Sequence, residues 1–204
     1  MVYATFKTIL LPLFRRKLAE VSGDEYLPPD GSSYLLAANH VDFLDGFYVA
    51  AAVYAARQHR VYFITKTNNY WWTKTTIPIA SSRKAASVDD AFGYLKSGKI
   101  ICNFIEGERN PNTRLLRGKT GVARLALVAN VPVIPVGIIG SSSSTFVQSL
   151  TNLMAGGKDV KVHFGREVDL TEFRGLDIDY NVLQAATREI MRALVPLCGK
   201  AYAG

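Results

Sequence analysis

Cysteine is scarce in this sequence, at two residues in 204, and the two are far apart. Cys102 lies inside an apolar run and Cys198 near the C-terminus. That spacing excludes a disulfide framework and fits reduced thiols in a cytosolic setting. Histidine is also rare, at three residues, and no zinc-type cluster of Cys and His can be assembled. Acidic residues are outnumbered, 17 Asp and Glu against 24 Lys and Arg, which leaves a formal charge of +7. Such an excess points to an anionic partner: nucleic acid, a phosphorylated substrate or an acidic membrane surface. Neither a Walker loop nor an RNA-binding signature accompanies it. The Gly-x-Ser-x-Gly elbow of serine hydrolases is missing too. The apolar stretch near the N-terminus is interrupted by Lys7 and falls short of the about 20 residues that a spanning helix needs.

What is present is a globular composition, 49% hydrophobic and 20% charged, enough for one domain with a small extension. Residues 1–22 are expected to form that extension as an amphipathic helix, with residues 23–204 as the main domain. Val2, Phe6, Ile9, Leu10 and Leu13 share one helical face, and Arg15, Arg16 and Lys17 follow. Basic residues after the apolar run do not suit a signal peptide. The helix either lies in a lipid interface with its cations at the headgroups or packs onto the domain as a core helix. Tyr70, Trp71 and Trp72 pose the same choice between a membrane interface and a loop folded onto the core.

Beyond the Pro/Gly-rich loop of residues 21–33, apolar strands alternate with helical segments. Strands are expected at Tyr34–Ala38, Arg60–Lys66, Lys99–Ile105, Val131–Ile139 and Val160–Phe164, with a short apolar run at Ile77–Ala80. Pro132 and Pro135 predict an edge or irregular ladder for the Val131 strand. Helices are expected at Phe43–Arg57, from a cap at Ser87 to a stop at Gly98, at Thr120–Ala129, and from a cap at Asp179 onwards. The run Ser141–Thr145 is either a phosphate loop or a flexible connection, and no glycine fingerprint or lysine favours the former. This alternation predicts an α/β fold: a mixed, mainly parallel central sheet flanked by helices.

The residues with chemistry fall at predicted strand ends, where open α/β sheets build binding sites. Asn39–His40–Val41–Asp42–Phe43–Leu44–Asp45 follows the first such strand. A histidine in a loop, with a carboxylate five positions on in the first helical turn, can form an oriented base. Asp45 would hold one ring nitrogen and leave the other to accept a proton. The competing explanation is that Asn39 or Asp42 caps the helix and His40 packs nearby. Lys66, Arg83 and Glu106–Gly107–Glu108–Arg109 follow later strands. The three cations could hold a phosphate beside the imidazole.

Taken in order, these pieces resemble the four sequence blocks of the glycerol-phosphate and lysophosphatidic-acid acyltransferase family. The blocks are His40-x4-Asp45 with Asn39 before it, Arg83, Phe104–Ile105–Glu106–Gly107-x-Arg109 and Val131–Pro132–Val133–Ile134–Pro135–Val136. Lys66 lies between the first and second. Arg117–Gly118–Lys119–Thr120–Gly121–Val122–Ala123–Arg124 resembles the basic turn between the third and fourth. The likeness covers about residues 33–140. Glu108 stands where the third block usually has threonine, and Ser81–Ser82 precede Arg83.

The resemblance implies transfer of a fatty acyl group from acyl-CoA or acyl carrier protein to a lipid hydroxyl. His40 would be the general base oriented by Asp45, with Lys66, Arg83, Glu106, Gly107 and Arg109 around the acceptor. No metal and no cofactor beyond the acyl donor are implied. The implied partners are that donor, a lipid acceptor and an anionic membrane surface, not nucleic acid. The implied place is the cytoplasmic, inner face of a membrane, held peripherally. A non-catalytic lipid- or acyl-CoA-binding module on the same fold is the rival, and an intact His40/Asp45 pair speaks against it.

Overall fold

A computed structural model of the chain describes residues 10–66, 77–79, 84–140 and 142–202. Its strands are β1 (Leu18–Ser22), β2 (Tyr34–Ala38), β3 (Val61–Lys66), β4 (Ile77–Ile79), β5 (Ile100–Phe104), β6 (Val133–Ile139) and β7 (Val160–Phe164). Its helices are α1 (Leu11–Lys17), α2 (Asp45–Arg57), α3 (Lys84–Lys96), α4 (Gly121–Ala129), α5 (Phe146–Met154) and α6 (Tyr180–Cys198). The strands form one sheet in the order β1-β7-β6-β2-β5-β3-β4. The β6–β7 pair is antiparallel and the other described pairs are parallel, as expected of a mixed, mainly parallel sheet.

β2 sits at the centre and is buried along its whole length. Its pleat sends Tyr34, Leu36 and Ala38 into one core layer with α1 and α2. Leu35 and Ala37 enter the other layer with α4 and α6. A strand covered on both faces has no polar side to show, which is why its sequence reads as a continuous apolar run.

Gly137 on β6 lets α6 lie close to the sheet. A Cβ there would stand 2.2 Å from the Leu197 carbonyl oxygen, a backbone atom that cannot swing aside.

Three expectations need correction. The helix expected over residues 1–22 ends at Lys17, and Leu18–Ser22 run on as β1 beside β7. Lys17 turns the chain: its Nζ donates to the Gly156 carbonyl at 2.8 Å and pairs with Asp159 at 3.1 Å. In the described part of that helix, Leu11 and Phe14 are buried. Phe14 stacks on Phe47 at 4.8 Å and meets Tyr48 edge-on, contacts worth about 0.5–1.5 kcal/mol each beyond the area they bury. The core-helix alternative therefore holds for Leu11–Lys17, and residues 1–9 lie outside the described residues.

The second correction concerns β6, which is no edge strand, since it lies between β7 and β2. Pro135 is tolerated because the β7 ladder starts at Val136↔Phe164. Its carbonyl still accepts the Gly165 N–H at 2.9 Å. Third, α3 begins at Lys84, one turn before the cap expected at Ser87. Neither β1 nor α5 was foreseen.

Candidate active site

Parallel pairing of β2 with β5 sets the site. Ala38 is registered with Phe104, so two residues further on, His40 and Glu106 emerge side by side beyond the same sheet edge. The first turn after the strands keeps that alignment: the Ile105 N–H donates to the Ala38 carbonyl at 2.9 Å. Asn39 ties the same turn to the strand on the other side. Its side chain donates to the Ile138 carbonyl at 2.9 Å and accepts the Ile138 N–H at 2.7 Å.

His40 Nδ1 lies 2.8 Å from Asp45 Oδ2. The same oxygen accepts the backbone N–H groups of Val41 at 2.6 Å and Asp42 at 2.8 Å. Asp45 is the first residue of α2, where the helix dipole favours a negative charge. Asp42 holds the approach to the helix: Oδ1 accepts the Leu44 N–H at 3.0 Å and Oδ2 accepts the Ser149 hydroxyl at 3.0 Å. The capping alternative is not realised: Leu44 is the N-cap of α2 and takes no side-chain cap bond, while Asp42 closes the turn before it.

Asp45 is 1% exposed. Burial pushes its carboxyl above the ordinary value, while His40 and the two amides pull it back towards the ionised form. Ionised, Oδ2 only accepts hydrogen bonds. The Nδ1 of His40 must then carry the proton, and Nε2 is left with its lone pair. The ring cannot tilt freely because it stacks on Phe104 with centroids 3.9 Å apart. A fifth of the His40 side chain remains exposed. The arrangement is that of an oriented base which can become a cation beside a fixed anion.

Glu106 is fully buried and its two oxygens are occupied. Oε1 accepts the His40 backbone N–H at 3.2 Å, and Oε2 accepts Asn110 Nδ2 at 2.5 Å and the Leu116 N–H at 2.9 Å. The Asn110 N–H donates to the His40 carbonyl at 2.6 Å, closing a ring between the two loops. This carboxylate holds the His40 loop in place. Gly107 follows at φ +76°, a backbone conformation that suits glycine and turns the chain outward. The C-terminal segment braces the loop from behind. Lys200 Nζ donates to the Asn110 carbonyl at 2.5 Å, and Ala201 exchanges backbone bonds with Thr113 and Leu115.

Arg109 is half-buried, with its guanidinium 3.6 Å above the Phe43 ring and Nη1 donating to the Ser143 carbonyl at 2.5 Å. The flexible connection expected of the serine run is instead held between Ser142 and Thr145 by Arg109 and Gln148, and Thr145 caps α5 by accepting the Gln148 N–H. Ser141 lies outside the described residues.

The structure brings His40, Asp45, Glu106, Gly107 and Arg109 together. Lys66 ends β3, the neighbour of β5, and its side chain is outside what is described. Arg83 and the Tyr70–Trp72 cluster lie outside the described residues altogether. Sequence reasoning passed over Asn110, Phe43 and Ser149. Asn110 had one signal, its place before Pro111, which marks a turn but not a role. Among the described residues no group of three His, Cys, Asp or Glu could hold a metal, and no helix is long and apolar enough to cross a membrane. A cleft of about 380 Å³ between Leu115–Gly118 and α6 is lined by none of His40, Asp45, Glu106 or Arg109.

Residues 19–139 match the family model described as Acyltransferase. Over 190 residues the chain is 26% identical to a 1-acyl-sn-glycerol-3-phosphate acyltransferase of Chlamydomonas reinhardtii, covering 86% of this chain and 53% of that protein. It is 27% identical over 118 residues to a probable 1-acyl-sn-glycerol-3-phosphate acyltransferase of Mycoplasma pneumoniae, covering 56% of this chain and 44% of the relative. The chain thus spans about half the length of these curated relatives. Its fold is similar to the crystal structure of the 1-acyl-sn-glycerophosphate (LPA) acyltransferase PlsC from Thermotoga maritima. The TM-score is 0.62 at 18% identity, over 97% of this chain and 83% of that one.

Proposed function

This chain belongs to the acyltransferase family, and on that premise we propose that it moves a fatty acyl group from a thioester to a lipid hydroxyl. The donor is acyl-CoA or acyl carrier protein, and the acceptor is a glycerophosphate, a lysophospholipid or a related lipid alcohol. The observation that carries this reading is the 2.8 Å contact between His40 Nδ1 and the buried oxygen of Asp45.

Nε2 of His40 takes the proton of the acceptor hydroxyl as its oxygen attacks the thioester carbonyl carbon. The tetrahedral intermediate collapses, the C–S bond breaks, and the departing sulfur takes the proton from the imidazolium. An ester and a free thiol result, with no acyl-enzyme. Asp45 keeps Nδ1 protonated throughout and stabilises the transient cation. Arg109, with Lys66 and Arg83, supplies positive charge for an acceptor phosphate, and Gly107 lets backbone amides approach it. Glu106, its oxygens already engaged, acts by fixing the His40 loop. The +7 charge suits residence on an anionic, cytoplasmic membrane face where such acceptors reside.

Thiol release from palmitoyl-CoA tests the reading, with glycerol 3-phosphate, lysophosphatidic acid and non-phosphorylated lipid alcohols as acceptors. Release with one acceptor, lost in His40→Ala, is expected. Should coenzyme A stay silent, charged acyl carrier protein is tried next. Turnover that survives in His40→Ala overturns the base assignment.

A further inference from the structure

The helix α5 stands at the rim of the site. Its Ser149 hydroxyl reaches Asp42, its Phe146 meets Phe43 edge-on at 6.1 Å, and Arg109 binds the turn before it. At about 100° per residue, Ser149, Leu153, Phe146, Leu150, Met154 and Val147 follow one another around the helix. Ser149 and Leu153 are buried at one margin of this arc. Phe146 packs half-buried against the core, and the remainder of the apolar arc turns away from it. Val147 is 70% exposed, Met154 73% and Leu150 39%, with Phe43 alongside at 38%. Gln148, Thr151 and Asn152 take the remaining side, so the helix is amphipathic twice over: its apolar face is wider than the core it covers.

Charge lies at the margins of the patch, with Arg109 over Phe43 at one edge and further cations beyond the C-terminal end of α5. α5 (FVQSLTNLM) has no ionisable residue. The loop after it carries exposed Lys158 and is pinned to the end of α1 by Lys17, through Gly156 and Asp159. The exposed Arg15 and Arg16 are in that same turn of α1. Among the described residues, Arg15, Arg16 and Lys158 are thus exposed cations near the end of α5, and Asp159 is already paired with the buried Lys17. Apolar side chains with exposed cations at one end suit a surface of acyl chains beneath anionic headgroups.

We propose that the outer face of α5, formed by Val147, Leu150 and Met154 with Phe43, is the surface by which this chain enters the headgroup layer of an anionic bilayer. This deepens the proposed function, since it sets the rim of the His40 site at the depth where a lipid hydroxyl is found. It is independent of any contribution from residues 1–9.

The test is co-sedimentation of the full chain with phosphatidylcholine vesicles, with and without phosphatidylglycerol. Wild type is compared with the double variant Val147→Gln/Met154→Gln, whose positions carry little packing. Binding to the anionic vesicles is expected to fall at least about tenfold, the equivalent of about 1.4 kcal/mol, with the thermal midpoint unchanged. Wild-type binding is expected to weaken with added salt. Equal vesicle binding by wild type and variant overturns the proposal. So does a wild-type dimer that the variant turns into a monomer, which would make the face a contact between two copies. Sedimentation needs no turnover, so a failed acyl-transfer assay leaves this result standing, and the reverse also holds.

Discussion

Replacing Asp45 by asparagine separates two roles that the buried carboxylate combines. With the amide carbonyl in the place of Oδ2, the three donors that converge there, His40 Nδ1 and the N–H groups of Val41 and Asp42, keep an acceptor. What is lost is the negative charge. Two unit charges about 4 Å apart at an effective dielectric near 20 attract by about 4 kcal/mol. On the proposed mechanism, that is the stabilisation withdrawn from the imidazolium as the hydroxyl proton is taken. At about 1.4 kcal/mol per tenfold, kcat should fall by about three powers of ten. Folding responds differently. Burial holds the Asp45 carboxyl above its ordinary value, so the native state binds an extra proton between the unfolded and folded values. The group's contribution to stability is fully present below that window and is lost as pH rises through it. At neutral pH the asparagine variant should therefore match wild type within about 1 kcal/mol. Its advantage over wild type should shrink on acidification. Asp45→Ala, by contrast, strands the two backbone amides and Nδ1 and should cost about 3–5 kcal/mol. Thiol release at saturating substrates gives kcat, and urea unfolding at several pH values gives the rest. A kcat for Asp45→Asn within about fivefold of wild type would refute the charge argument. A loss of stability as large as that of alanine would show that the fold needs the charge and not only an acceptor at this place.

Three further outcomes follow from other contacts. Glu106→Gln places an NH₂ group where an oxygen now receives N–H donors; chemical denaturation should show a loss of about 1–3 kcal/mol, and unaltered stability would contradict the buried ring of bonds. Arg109→Lys removes the planar stack on Phe43 and the bond to Ser143, so KM for a phosphorylated acceptor should rise about tenfold with kcat nearly kept. An equal fall in kcat would place Arg109 nearer the reacting atoms. Gly137→Ala drives a methyl into the Leu197 carbonyl and should lower stability by more than about 3 kcal/mol, read from the thermal midpoint; a normal midpoint would mean that α6 shifts at little cost.

Much of the fold was legible because β2, β5 and β6 are covered on both faces and therefore read as apolar runs bounded by turns. Asp179 announced α6 as a cap, and its side chain does accept the Val182 N–H at 2.8 Å. The His40–Asp45 pair was legible as a spacing, since five residues suffice to turn from a strand into a first helical turn. The role of Glu106 was not. A carboxylate in a polar turn reads as solvent-facing, and what buries it is Asn110 and Leu116 folding back. β1 was hidden because Leu18–Ser22 pair with β7, a partner far along the chain that no local pattern reveals. α5 was hidden by its length of nine residues and by the serines before it. Pro135 misled for a related reason: the rule against proline in central strands concerns the donor it lacks, and here the neighbouring ladder begins one residue later.

The brace behind the site has a consequence for how the protein is made. Asn110 holds Glu106, and Lys200 holds Asn110 across a sequence separation of 90 residues. During synthesis at roughly 5–20 residues per second, the loop carrying His40 leaves the ribosome well before the residues that fasten it. For about 5–20 s the nascent sheet then carries His40 on an unfinished turn. The turn that holds His40 is completed only when Lys200 and Ala201 dock behind it, so the site is among the last parts of the fold to be finished.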